Sequence, residues 1–415
     1  MSQTSEIPSR LALRSSWPLL AALALLASCG GDNNCGSCLV GTAPEVSLGL
    51  VADNFGGNGA TSIVATSTIL NSPHPNPGNL KIYLSAGPGT FAAPVLVSDG
   101  YNPLYLASAD LNGDHLPDVV SASYADGQLA VFLNNMQSPG TFAAPQLLAS
   151  PGASQAAIAD MNGDGLPDLV AADFNVSLFT QTVSGTFAAP VALYPGGANW
   201  VALGDLNGDG IPDVALTDAV GVKVLMHTGT ATATTYAAPV SVFTQTPNAN
   251  VAGANLIAIA DVNGDGLNDL VITDPGPAGC AAPTVSVLLQ DAAIPGRFLA
   301  PVGYPLGACN PVRSILVTDV NGDGRPDILI GGETGVTVLL QNAASPGTFL
   351  TATNYAADDA NEIAVADVDA DGYRDIIVAT GPAQPATNGV MPNDPGVLLQ
   401  NSGAPGTFGT LRSLP

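Results

Sequence analysis

The sequence predicts an all-β fold, a seven-bladed β-propeller of four-stranded antiparallel blades, from two repeated motifs. A nine-residue loop of the form Asp-x-Asn-Gly-Asp-Gly-x-x-Asp, or a close variant, begins at Asp110, Asp160, Asp205, Asp261, Asp319 and Asp367. A degenerate copy begins at Asp53, with one residue inserted. Each copy is followed by Gly-Thr-Phe or a variant of it, as at Gly89. Both motifs therefore count seven units of about 50 residues, a spacing typical of propeller blades.

The unit around Asp319 shows how each blade is built. Its strands are expected at Ser314–Thr318, Ile328–Ile330 and Val336–Leu340, with a fourth starting at Phe349. Short runs rich in Val, Ile and Leu, separated by Gly, Pro and Asn, are typical of strands, and no segment after residue 40 shows a helical period. Closing seven such blades into a ring protects the strand edges that an open array would expose.

The repeated loops carry the side chains of a calcium site. Oxygen-bearing residues occupy positions 1, 3, 5 and 9, and Ca²⁺ prefers six to eight oxygen ligands that a short loop can wrap around it. We expect up to six Ca²⁺ ions, with the first loop empty because it lacks acidic residues after Asp53. The second loop has His115 in place of glycine, which leaves its occupancy open, although histidine tolerates positive φ better than most side chains. The candidate ligands are Asp110, Asn112, Asp114, Asp118, Asp160, Asn162, Asp164, Asp168, Asp205, Asn207, Asp209, Asp213, Asp261, Asn263, Asp265, Asp269, Asp319, Asn321, Asp323, Asp327, Asp367, Asp369, Asp371 and Asp375.

These loops and the Gly-Thr-Phe-Ala-Ala-Pro stretch resemble the FG-GAP/VCBS repeat family, which includes the propeller of integrin α subunits. The resemblance covers roughly residues 45–413. It implies a seven-bladed propeller with Ca²⁺ in the hairpin loops between the first and second strands. It leaves function open, because one scaffold serves many roles.

The N-terminus resembles a bacterial lipoprotein signal. Basic residues precede an apolar run that ends in Leu26-Ala27-Ser28-Cys29, and such a run is too short to span a bilayer comfortably. We expect residues 1–28 to be the signal peptide, residues 29–44 a tether lipidated on Cys29, and residues 45–415 the propeller. This predicts an exported, lipid-anchored protein of the outer membrane or cell surface.

The excess of acidic residues excludes some classes of binding partner. The chain has 34 acidic residues against 9 Lys and Arg, and such a surface repels nucleic acid and anionic headgroups. We therefore expect no nucleic-acid partner, membrane contact only through the lipid, and a monomer.

The remaining cysteines are also consistent with an exported protein. Strand parity places Cys280 and Cys309 on the face opposite the calcium loops, where an oxidising compartment favours a disulfide. Cys35 and Cys38 form Cys-x-x-Cys in the tether, and a small disulfide or a tether contact is the simplest interpretation.

The face opposite the calcium loops is the candidate binding face. It carries the variable loops, and just before the first strands stand Asn199, Trp200, Asn255, Arg313 and Asn361. Asparagine and aromatic groups suit sugar or peptide binding. The alternative is that these asparagines only satisfy the turns that precede the strands.

Catalytic motifs give little support for an enzyme. The sequence has no His-Glu-x-x-His, no Gly-x-Ser-x-Gly and no phosphate-binding loop. The sequence therefore favours a calcium-stabilised cell-surface adhesion or recognition module for a protein or carbohydrate ligand. The alternatives are a polysaccharide-active lyase or hydrolase and a purely structural surface scaffold.

Overall fold

The computed structural model describes residues 45–69, 78–99, 101–229, 234–244, 256–274, 283–307, 312–357, 359–381 and 394–415. This part of the chain consists of strands, turns and bends, with no helix among them. Accordingly, it contains no helix long and apolar enough to cross a membrane. The predicted signal peptide, tether and lipidation site, the Cys280–Cys309 pair and Asn255 lie outside the described residues.

The strands form seven successive antiparallel sheets, which we number as blades 1 to 7. Blade 1 contains β1 (Glu45–Val46), β2 (Leu50–Asp53), β3 (Ser62–Ile69), β4 (Asn79–Tyr83) and β7 (Val95–Ser98), with the small hairpin β5 (Ser85–Gly87) and β6 (Thr90–Phe91) inserted. Blade 2 contains β8 (Tyr105–Ala109), β9 (Asp118–Ser123), β10 (Gln128–Phe132) and β11 (Gln146–Ala149). Blade 3 contains β12 (Gln155–Ala159), β13 (Asp168–Ala172), β14 (Ser177–Phe179) and β17 (Val191–Ala192), with the hairpin β15 (Gln181–Val183) and β16 (Thr186–Phe187).

The remaining blades each have four strands. Blade 4 contains β18 (Trp200–Gly204), β19 (Asp213–Thr217), β20 (Gly221–Leu225) and β21 (Val240–Thr244). Blade 5 contains β22 (Ile257–Ala260), β23 (Asp269–Asp274), β24 (Thr284–Leu288) and β25 (Val302–Pro305). Blade 6 contains β26 (Val312–Thr318), β27 (Asp327–Gly332), β28 (Gly335–Leu339) and β29 (Thr353–Ala356). Blade 7 contains β30 (Ala360–Ala366), β31 (Asp375–Thr380), β32 (Gly396–Leu398) and β33 (Arg412–Ser413).

The blades close into a ring, which confirms the predicted seven-bladed propeller. The inner strands β2, β8, β12, β18, β22, β26 and β30 contact one another in that order, and β30 contacts β2 again. These strands surround a central channel, whereas the fourth strand of each blade lies at the outer edge and leaves apolar side chains such as Leu96 and Val302 exposed. Because each blade is made of consecutive strands, the ring is closed by side-chain and backbone contacts between blades 7 and 1.

The hydrophobic core lies between neighbouring blades. One cluster joins Phe55 and Leu80 of blade 1 to Leu106 and Phe132 of blade 2, and equivalent clusters follow around the ring. Alternating strand residues face the two neighbouring sheets, as the period of two requires. The second and third strands are accordingly buried along almost their whole length.

Polar side chains clamp the same boundaries. The amide nitrogen of Gln400 in blade 7 donates a 2.9 Å hydrogen bond to the carbonyl of Val320 in the repeated loop of blade 6. Gln341 makes the equivalent 2.7 Å bond to Val262, and Asn134 a 3.0 Å bond to Phe55. The same type of bond therefore joins blades 1 and 2, blades 5 and 6, and blades 6 and 7.

The fourth strand starts later than the sequence predicted. In blade 6, Phe349 forms an isolated bridge with Gln341, and the outer strand begins only at Thr353. The Phe349 side chain instead packs into the core, with its ring 5.5 Å from that of Tyr304 in the preceding blade. The Gly-Thr-Phe segment therefore anchors one blade to the one before it.

Candidate calcium loops and central channel

Each repeated loop is wound around the aspartate at position 1. In blade 3, the Asp160 carboxylate accepts hydrogen bonds from the backbone N–H groups of Gly163, Asp164 and Gly165, at 2.7, 3.1 and 2.7 Å. Asn162 accepts a 2.8 Å bond from Asp164, and Asp164 accepts a bond of the same length from Leu166. The loop backbone thus holds three oxygen-bearing side chains in fixed positions, as a metal site requires.

The turn depends on positive φ angles at positions 4 and 6. Gly163 and Gly165 have φ of 71° and 85°, a conformation that costs glycine little. His115 takes the same conformation in blade 2, with φ of 69°. The histidine therefore leaves the backbone path of that loop unchanged.

The aspartate at position 9 is buried at the base of every acidic loop. Asp168 accepts a 3.0 Å bond from the N–H of Met161 and a 2.7 Å bond from the N–H of Gln181. Burial raises the pKa of its carboxyl to about 6, against the effect of these two bonds, and the nearby loop carboxylates raise it further. The same holds for Asp118, Asp213, Asp269, Asp327 and Asp375, each with a pKa of about 6.

Blade 7 shows that these side chains fit a cation. Ligand oxygens of Asp367, Asp369 and Asp375 lie within 4.8 Å of one another. The Oδ1 atom of Asp367 is buried and accepts no hydrogen bond. An unsatisfied buried carboxylate oxygen is costly, and a hard cation would satisfy it. Carboxylate oxygens arranged in this way suit Ca²⁺.

The first loop starts one residue later than the sequence predicted. Asp53 pairs with Ser62 in the sheet, as Ala109 pairs with Asp118 in blade 2. The nine-residue loop therefore begins at Asn54 and contains no inserted residue, and Asn54 accepts the bond from the N–H at position 6, that of Gly59, at 3.0 Å. Asp53 resembles a loop aspartate in the sequence, but it is the last residue of strand β2.

A buried histidine, His227, contacts the repeated loop of blade 4. His227 occupies the position that the clamping Asn134, Gln341 and Gln400 occupy in blades 2, 6 and 7. Its Nδ1 atom lies 3.3 Å from the carboxylate of Asp209. Its ring packs edge-on against Tyr236 at 5.6 Å.

Two of the candidate binding residues on the opposite face have structural partners for their side chains, and a third has one for its backbone. Asn361 is buried and donates a 3.2 Å hydrogen bond to the carbonyl of Ser47 in blade 1. The Arg313 guanidinium lies 2.7 Å from Asp359 and 3.3 Å from Glu333, bridging blades 6 and 7. The backbone N–H of Asn199 bonds to Thr217 at 2.8 Å. Trp200, by contrast, lines the central channel.

The sheet register places Trp200 in a row around the channel. The fifth residue before the repeated loop is Tyr105 in blade 2, Trp200 in blade 4 and Glu362 in blade 7. All three line a cavity of about 320 Å³. Tyr105 and Trp200 meet edge to face, with ring centroids 5.4 Å apart.

Glu362 is a site residue that sequence reasoning missed. Glu362 is half-buried and lines the cavity, and desolvation there raises the pKa of its carboxyl to about 8. Burial, and then the negative charge of Glu362, raise the pKa of the Tyr105 hydroxyl as well, so Tyr105 stays neutral. Counting five residues back from each loop would have found the row, because that spacing is constant in blades 2 to 7.

A family comparison agrees with this geometry. The FG-GAP-like repeat matches six overlapping segments, residues 55–121, 110–171, 160–216, 205–272, 261–330 and 319–378. The chain belongs to the FG-GAP-like repeat family. The matches run from one repeated loop through the next, and the recurring loops are the part that they share. A search of curated protein sequences gives no match.

Solved structures share the fold of this FG-GAP-like propeller. An Agrocybe aegerita lectin that recognises non-reducing terminal N-acetylglucosamine is 21% identical, with 75% of this chain and 80% of the lectin chain covered, at a TM-score of 0.52. BBS1N, solved in complex with ARL6DN, is 10% identical, with 85% and 93% covered, at a TM-score of 0.53. The V. cholerae biofilm matrix protein Bap1 is 12% identical, with 83% and 87% covered, at a TM-score of 0.45.

Proposed function

We propose that this FG-GAP-like propeller is a calcium-stabilised, non-enzymatic binding module at the cell surface, held to the membrane by lipid on Cys29. The observation that carries the proposal is the contrast between its two faces. One face repeats the same acidic loop six times. The other carries different side chains in each blade, which suits recognition of a specific ligand.

The acidic loops support a structural role for calcium. Their carboxylates are held close together by loop backbone, and each bound ion would offset mutual repulsion among them. Because the unfolded chain cannot assemble such a loop, each ion would stabilise the folded ring by mass action. Calcium therefore clamps the hairpins and leaves the opposite face for a ligand.

An exposed aromatic pair favours a carbohydrate ligand on that face. Phe174 and Tyr124 come from the turns between the second and third strands of blades 3 and 2, and their rings meet edge to face at 6.3 Å. Phe174 is 59% exposed. An exposed aromatic face suits stacking against a sugar ring, and the lectin that shares the fold makes terminal N-acetylglucosamine a sensible first probe.

A glycan array with the full-length protein in excess Ca²⁺ tests the proposal. Saturable binding of one glycan is expected, and Phe174→Ala should weaken it. Met136→Ala is the matched control, because Met136 is 61% exposed but lies in a turn on the calcium-loop face. Turnover of a polysaccharide would instead identify an enzyme. Neither binding nor turnover, with glycans and with surface proteins as probes, would favour a structural scaffold.

A further inference from the structure

The central channel contains a carboxylate with no counter-ion. Within the described residues, no Lys, Arg or His lies within ion-pair distance of Glu362, since Arg313 pairs with Asp359 and Lys81 with Asp394. Among the residues that the structure describes, the one hydrogen bond that its carboxylate accepts is a long one, 3.4 Å, from the N–H of Ile363. A charge taken out of water without a partner is costly, so the empty site favours the protonated form of Glu362, and a bound cation would favour the carboxylate.

Two aromatic rings lie in the same cavity as that carboxylate. Trp200 and Tyr105 line it from blades 4 and 2, and Glu362 lines it from blade 7. Blade 1, which stands between blades 7 and 2, has Gly49 at the equivalent position. A Cβ atom on Gly49 would come within 3.0 Å of the backbone of Tyr105 and Leu106. This glycine keeps blades 1 and 2 close and places no side chain between Glu362 and Tyr105.

We propose that the central channel binds a small organic ammonium ion, with its charge at Glu362 and its alkyl groups against Trp200 and Tyr105. Aromatic faces attract cations through their quadrupoles, most strongly in Trp and where water is excluded. A cavity of about 320 Å³ is at the small end of ligand pockets. This inference does not depend on the carbohydrate or protein ligand proposed above.

The lining selects an organic cation over a metal ion. Ca²⁺ needs six to eight oxygen ligands, whereas Glu362 is the only carboxylate among the residues that line the cavity. The rest of the lining is largely aliphatic, and its half-buried members include Val51, Ala107 and Leu316. These side chains suit methyl or methylene groups around a single positive charge.

Arg313 lies in inner strand β26, next to the row of Glu362, but its guanidinium pairs with Asp359 and Glu333. Another positive group, Arg374, lies at the other end of the inner strands. Arg374 donates a 3.1 Å hydrogen bond to the hydroxyl of Thr318, the last residue of β26. The row of Glu362 lies four residues earlier along the inner strands, about 13 Å away at about 3.3 Å per residue. Arg374 therefore leaves the charge at Glu362 without a direct partner.

Binding would also displace a proton. Burial raises the pKa of Glu362 to about 8, and Tyr105, the other titratable group lining the cavity, stays neutral. At neutral pH the empty site therefore holds a proton on Glu362, and an ammonium ion that favours the carboxylate form would release it.

Calorimetric titration of the full-length protein in excess Ca²⁺ tests the proposal, with tetramethylammonium as the probe. Saturable binding is expected, with a heat that changes between buffers of different ionisation enthalpy because a proton is released. Sodium at equal ionic strength and tert-butanol, a neutral molecule of similar shape, should give no saturable binding. Equal binding of tert-butanol would overturn the role of charge.

Two variants locate the site. Glu362→Gln should weaken tetramethylammonium binding at least about tenfold and abolish the buffer dependence, and Trp200→Leu should weaken it several-fold. Glu333→Gln is the matched control, because Glu333 is an exposed glutamate paired with Arg313 in blade 6. The proposal would be wrong if a folded Glu362→Gln protein bound tetramethylammonium as well as the wild type, or if the wild type did not bind it. Glu362→Gln replaces a group that is protonated at neutral pH by a neutral amide of similar size, so the variant should fold, and its melting temperature checks this.

Discussion

The carboxylate of Asp394 in blade 7 accepts a 3.0 Å hydrogen bond from the Nζ atom of Lys81 in blade 1. The same oxygen accepts a 2.7 Å bond from the buried hydroxyl of Tyr83. These contacts join the last blade to the first without any exchange of strands. Asn361 adds a side-chain bond across the same boundary, and Gly89 adds a backbone bond to Val368.

Removal of Asp394 should weaken the ring at its closing boundary. Asp394→Ala leaves a partly buried ammonium and a buried hydroxyl without this acceptor, and the expected loss is about 1–3 kcal/mol of unfolding free energy. Chemical denaturation measures it. Arg297→Ala, which breaks an ion pair with Asp291 within blade 5, should cost far less. Equal losses of unfolding free energy in the two variants would show that the contacts between blades 7 and 1 contribute no more than an exposed ion pair.

Calcium removal should destabilise the protein loop by loop. Chelation is expected to lower the melting temperature and increase protease sensitivity, because both mass action and carboxylate repulsion act in that direction. High salt alone should rescue only part of this loss, since screening restores no coordination. Metal analysis of the purified protein should show up to about six bound ions, the number of acidic loops that follow the calcium-loop pattern.

Single-loop variants refine the calcium prediction. Asp265→Ala should remove one bound ion and leave the other loops able to bind. Asp53→Asn is the control, because Asp53 is the last residue of a strand and lies outside the first loop. If metal content is the same in both variants and calcium leaves the melting curve unchanged, the loops are solvated turns.

Asp99 should make stability depend on pH. Burial raises its pKa from 3.8 to about 7, against a hydrogen bond from Ser121, while Asp126 raises it further. The folded state therefore keeps a proton that the unfolded chain has lost between these two pH values, so this contribution is full below pH 3.8 and disappears as pH rises through about 7.

An Asp99→Asn variant tests the direction of this pH dependence of stability. Its unfolding free energy, measured in excess Ca²⁺, should fall less steeply than that of the wild type over this pH window, by at most about 1.4 kcal/mol per pH unit. Glu333→Gln should keep the wild-type slope, because Glu333 is exposed. A steeper decline in Asp99→Asn would contradict the assignment.

The lipid anchor is tested at Cys29. Cys29→Ser should prevent acylation, and the protein should leave the membrane fraction or remain unprocessed, since anchoring depends on acyl chains rather than on the fold. Mass spectrometry of the N-terminal peptide and membrane fractionation check this. A wild-type Cys29 free of lipid, with fractionation unchanged in the variant, would disprove the anchor.

The sequence by itself determined the repeat, the number of blades and the two faces. Loops such as Asp160–Asp168 need particular residues at particular spacings, because ligand oxygens and positive φ angles are local requirements. Strand order followed as well, since short antiparallel strands joined by tight turns can only pair with their neighbours. The positive φ of His115 agrees with the tolerance of histidine for the left-handed conformation.

Only the tertiary structure decided which side chains meet. Asp53 looks like a loop aspartate in the sequence, and its pairing with Ser62 moves the loop start to Asn54. Arg313 and Asn361 were grouped with Trp200, but the structure turns them to contacts between blades. Glu362, Tyr105 and Trp200 come from blades 7, 2 and 4. They share one cavity because ring closure brings together residues that are far apart in the chain. Such proximity cannot be predicted from a local sequence pattern.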